Sequence, residues 1–191
     1  MAEFICLCWG LTMSISARVV NFSAEMFNDS LYFLEEAKKL GSQSENDWLR
    51  WRYLRASIIF SLTSFEAYVN TFIAGQIANT LKLQGVAKGF ANDRSSLSAK
   101  LENIIPILTG KELDKTQPEW TDFQIIRKIR NRIMHYTGGT QVYNDADFYG
   151  VNITNAEKGI SMTRGLIRQL TRLVGKPSPA WVNQAQSRTI R

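Results

Sequence analysis

Histidine occurs once in this chain, cysteine twice and proline four times, and each scarcity closes off a class of function. One histidine and two cysteines cannot assemble a four-ligand zinc site, and Cys6 and Cys8, two positions apart near the start, offer no disulfide framework. That pattern fits a reducing, cytoplasmic compartment. The sequence has no Walker loop, no dinucleotide fingerprint, no HExxH and no nucleophile elbow. It also lacks internal repeats, heptad arrays and low-complexity tracts. Neither a cofactor nor a metal is therefore expected. Acid–base chemistry at neutral pH is left with one obvious group, His135.

The apolar run Phe4 to Met13 is shorter than the ~20 residues that span a bilayer. It has no basic leader and no small-residue cleavage site, so neither a secretory signal nor a membrane partner is expected. Residues 1–15 read as an N-terminal extension, whose first twelve residues are either a start-codon artefact or an interfacial appendage.

What remains is an ordinary globular composition: 191 residues, 45% hydrophobic and 21% charged, enough for one buried core. The net charge of +6 is one-sided. Residues 1–95 carry 9 Lys/Arg and 9 Asp/Glu, whereas residues 96–191 carry 14 and 8. The basic excess therefore sits in the second half, as expected for a polyanion partner such as RNA.

Strand signal is weak and helical periodicity is strong, which predicts an all-α, up-and-down bundle of about five helices. Val19, Phe22, Met26, Phe27, Leu31 and Leu34 mark a first helix over residues 16–40, stopped by Gly41. From Trp48 to about Leu83 a wide apolar stripe, including Ile58, Leu62, Phe65, Val69 and Phe72, marks a helix packed inside a bundle. Glu66 lies within that stripe, and it either reaches water at a helix edge or pairs with an arginine of a neighbouring helix. Residues 85–96 read as a loop. A shorter helix follows from Leu97 to Leu108, ending at Thr109-Gly110.

The chain is organised around the run Pro118 to Tyr136. At about 100° per residue, Arg127, Arg130, Asn131 and His135 fall within an arc of roughly 140°, opposite Ile125, Ile126, Ile129 and Ile133. The polar arc is expected to face outward. Trp120, Phe123 and Met134 share its side and are expected to surround it as an exposed apolar interface. The bland alternative packs this side on the helix carrying Glu66. Residues 138–152 form either a loop or a short strand pair. Thr154 and Glu157 make a capping box for a last helix reaching about Val174. Arg164, Arg168 and Arg172 recur every fourth residue along it as a basic ridge, either a solvated face or an RNA contact. The tail, residues 175–191, is expected to be loosely ordered.

The string Arg130-Asn131-Arg132-Ile133-Met134-His135, an arginine and a polar residue followed after four intervening positions by histidine, resembles the signature of HEPN (higher eukaryotes and prokaryotes nucleotide-binding) domains. The segment SLTSFEAYVNTF, residues 61–72, is similar to the second helix of HEPN-like proteins of bacterial toxin and defence systems, and the resemblance spans roughly residues 16–174. It implies a homodimer whose Arg/His motifs meet across the interface. The implied activity is metal-independent endoribonuclease chemistry, in a toxin or antiphage effector with an antitoxin or defence-system partner protein. Arg130 and His135 would be catalytic with Asn131, supported by Arg127, Glu66, Arg132 and Tyr136. Several branches of the family are non-catalytic, so a module binding RNA, nucleotide or a partner protein is the alternative. In toxins controlled by adenylylation the acceptor tyrosine stands two positions after the histidine; here that position is Thr137, and Tyr136 directly follows His135.

Overall fold

The computed structural model describes residues 21–41, 46–79, 95–135 and 150–185. Among them the chain is all-α with no strand. Helix α1 is Phe22–Lys39 and α2 is Asp47–Asn79. Helix α3 covers residues 97–109, as Leu97–Ala99, a π-turn over Lys100–Ile104 and Ile105–Thr109. Helix α4 is Pro118–Met134 and α5 is Ile153–Leu173, and a 3-10 turn follows at Ala180–Asn183.

Local chemistry accounts for the ends. The Asn21 side chain accepts the Ala24 N–H at 3.2 Å to cap α1. Gly110 closes α3 in the left-handed region, at φ 67°, which a side chain would disfavour. Pro118 occupies the first turn of α4, where its missing N–H costs nothing. The cap of α5 differs from the expected box: Asn152, not Thr154, accepts the Asn155 N–H, at 2.8 Å, and the helix begins one residue before Thr154. The Asn155 side chain in turn donates to the Gly150 carbonyl. Of the segment 138–152, residues 138–149 lie outside the described residues, as does most of the loop 85–96.

Helix α2 is the centre of the bundle, packed along α1 and against α5, α4 and α3. Small hydroxyl residues let the backbones approach. Ser57 Oγ donates to the Ser30 carbonyl and Ser64 Oγ to the Ser23 carbonyl, tying α2 to α1 at 2.8 and 2.7 Å. On the other side Thr163 Oγ1 donates to the Ser61 carbonyl at 2.9 Å. A Cβ on Gly159 would stand 2.5 Å from Ser61 Oγ, so α5 can approach α2 here only because residue 159 is glycine. Every one of these buried hydroxyls has an acceptor, so the polar seam carries no desolvation penalty of the unpaired kind.

The core proper is apolar: Phe27, Ile58, Phe65, Phe123, Ile126, Leu166, Ile167 and Leu170 are completely buried. Helix α2 is long and apolar enough, by length and composition, to cross a membrane, and 44% of that apolar window is buried inside the molecule. Neighbouring helices touch it on several sides.

The tail differs from expectation as far as residue 185. Trp181 and Val182 are buried, Trp181 against Phe27 at 5.4 Å and Tyr68 at 6.2 Å. An aromatic anchor of this size holds a short 3-10 turn that has little stability of its own. Residues 186–191 lie outside the described residues.

Candidate functional site

The polar side of α4 is not uniformly outward. Trp120 and Phe123, expected as an exposed apolar rim, are buried. Phe123 meets Phe65 of α2 edge-on at 6.1 Å, and Trp120 packs on Phe123 at 5.3 Å beneath the ammonium of Lys115. Of the three apolar residues on that side only Met134, at 55%, is exposed. The first half of α4 thus uses as core the same side that its second half uses for charge.

Beyond Phe123 the side chains are polar and tied down in sequence. Arg127 is half-buried, donates to Ser98 Oγ of α3 and to Gln124 Oε1 at 2.9 Å, and lies 5.8 Å from the Phe123 ring. It links α4 to α3. Arg130 Nη2 stands 3.7 Å from Glu66 Oε2, an ion pair between α4 and α2 with both side chains about one-third exposed, and Nη1 donates to Asn131 Oδ1 at 3.3 Å. The half-buried Glu66 therefore has the arginine partner its position requires, and the guanidinium is held from two sides. Such a partly solvated pair contributes on the order of 0.2–1 kcal/mol; its larger effect is on orientation.

Asn131, Arg132, Met134 and His135 are exposed. His135 is the C-cap of α4, with φ −110° and ψ 38°, and its N–H bonds the Asn131 carbonyl at 2.9 Å. His135 therefore stands where α4 ends, past the last helical residue Met134. Tyr136 lies outside the described residues. No cluster of metal-ligating side chains occurs among the described residues.

The arginine ridge of α5 is divided: Arg164 is half-buried, whereas Arg168 and Arg172 are exposed. Arg164 Nε donates to the Val182 carbonyl at 3.1 Å, and its Nη2 to the Gln184 carbonyl. Its guanidinium also lies 5.3 Å from the Phe27 ring. Burial, and secondarily the Arg168 charge, hold its pKa below the ordinary arginine value. Arg164 thus holds the tail and is not free for a polyanion. Arg168 donates to Asn183 Oδ1 at 2.8 Å. With Arg172 it lines a cleft of about 320 Å³ that also contains Glu112, Asp114 and Glu119. Three carboxylates beside two arginines oppose phosphate binding.

Sequence periodicity missed Ser98 and Gln124, the partners of Arg127. A serine that caps nothing and a glutamine on a helix side carry no distinctive signal in a single sequence. No known protein family, curated protein or solved structure matches this chain. Among the described residues the fold is an all-α bundle in which α4 carries Arg130 and Asn131 in its last turns and ends at His135.

Proposed function

We propose that the chain is a metal-independent endoribonuclease, HEPN-like in its Arg130/Asn131/His135 motif, acting as a homodimer in a toxin or antiphage system with an antitoxin or other defence partner. The observation that supports this most is the Glu66–Arg130 ion pair, which presets one guanidinium beside Asn131 and within five residues of the exposed His135. An oriented arginine suits the charge that builds on a phosphorane.

The expected reaction is attack of a ribose 2′-oxygen on the adjacent phosphorus. The 2′-O–P bond forms, the P–O5′ bond breaks, the 2′ proton passes to a base and the leaving 5′-oxygen takes a proton. The products are a 2′,3′-cyclic phosphate and a 5′-hydroxyl, and DNA, without the 2′-hydroxyl, is inert. His135 is the proton-transfer group, Arg130 stabilises charge and Asn131 orients the phosphate. Arg130 and His135 diverge by roughly 140° about the α4 axis. A twofold pairing would let Arg130 of one copy and His135 of the other converge on one phosphate.

A second reading is a non-catalytic module that binds RNA, nucleotide or protein, favoured by the structural duties of Arg127 and of the Glu66-paired Arg130. Incubation of the chain with total RNA and tRNA in EDTA, wild type beside His135→Ala, separates the two. Cyclic-phosphate ends that fall about 10²–10⁴-fold in the variant support the nuclease. Absence of cleavage by a folded dimer across these RNAs supports the module.

A further inference from the structure

The first turns of α2 hold an aromatic and arginine group in which Trp51 packs against the core while Trp48 and Arg52 are exposed. Trp48 is 58% exposed and meets Trp51 edge-on at 6.0 Å. The Arg55 guanidinium lies 4.5 Å from the centre of the Trp51 ring, and Arg52 is exposed. Between Asp47 and Glu66 the sequence has no acidic residue, but it has three arginines. At 100° per residue, Trp48, Arg52, Arg55 and Glu66 fall within an arc of roughly 60° on one side of α2. Glu66 is the residue that holds Arg130. The aromatic and arginine group and the α4 cluster are thus the two ends of one helix side about 27 Å long.

We infer that this side of α2 is a binding track for single-stranded RNA, with Trp48 as a stacking platform and Arg52 and Arg55 as phosphate contacts, leading to the Arg130 end. The inference rests on the reading of the chain as an RNA-acting protein and names where the strand lies. Stacking on an exposed indole with flanking guanidinium groups is how single strands are held without sequence preference. A second copy of the chain is disfavoured as the occupant, because a twofold contact here would set arginines against the same arginines. The α5 ridge is the weaker candidate, with Arg164 committed to the tail and three carboxylates beside the other two arginines.

The test is fluorescence anisotropy of a 5′-labelled single-stranded 12-mer RNA with the full His135→Ala chain, alone and with Trp48→Ala plus Arg52→Ala. Both added positions are solvated, so the fold is expected to survive, and far-ultraviolet circular dichroism checks this. The expected result is at least a tenfold loss of affinity. Arg52→Ala alone should lower the slope of log K against log salt by about 0.7. Unchanged affinity in the double variant, or no binding to the parent chain, overturns the inference. A change in sedimentation without a change in RNA affinity does so too, and assigns the surface to self-association. The nuclease reading fails separately: binding that depends on Trp48 and Arg52 without His135-dependent cleavage keeps the track and removes the enzyme. Cleavage with binding indifferent to these residues does the reverse.

Discussion

The two halves of α4 carry side chains at the same angles with opposite fates. Trp120 and Phe123 lie on the same side as Arg127, Arg130 and Asn131, yet the aromatic pair is buried and Asn131 is exposed. The difference lies in what stands alongside. At Phe123 the neighbour is Phe65, an apolar ring at the middle of α2. At Arg130 it is Glu66, the next residue on the same helix. One step along α2 turns its contact with α4 from apolar to ionic. A single helix can thus be a core element at its start and a polar, partly exposed edge at its end, with the ion pair as the boundary.

Phe123→Ala should expose that division most severely, lowering stability by about 3–5 kcal/mol in urea denaturation, because the vacated space lies between Phe65 and Trp120. An equally stable variant would mean that the first half of α4 is not core. Glu66→Gln acts at the boundary. It removes the charge but keeps the shape, so the urea midpoint should shift by less than about 1 kcal/mol. If Glu66 positions Arg130, kcat for RNA cleavage falls by up to about a hundredfold while KM holds. Equal changes in binding and stability, with kcat intact, would make the pair merely structural.

The smallest effect concerns the approach to α4. The Asp114 carboxylate accepts bonds from Thr116 Oγ1, Gln117 Nε2 and the Thr116 N–H, at 2.6, 2.7 and 2.9 Å. These bonds hold its pKa below the ordinary 3.8. A depressed acid stabilises the fold above its unfolded pKa, and that contribution disappears as pH falls through the folded value. Asp114→Asn should therefore weaken the fold slightly at neutral pH and make thermal stability less sensitive to acid below about pH 4. An unchanged acid limb of the melting curve would show that the turn does not need the charge.

Much of the architecture was readable in one dimension. Helix α2, the extents of α3 and α4, the stops at Gly41 and Gly110, and Pro118 in the first turn of α4 follow from periodicity and end chemistry that act over three or four residues. For Glu66 the sequence left two outcomes open, water at a helix edge or an arginine partner, and the structure shows the pair with Arg130 on a side chain still about one-third exposed. Other features depend on packing between distant segments: the burial of Trp120 and Phe123, the commitment of Arg164 to the Val182 and Gln184 carbonyls, and the anchoring of the tail by Trp181. An angle on a helix states which residues share a side, because it depends on the backbone alone. It does not state what that side meets, which depends on where the other helices cross.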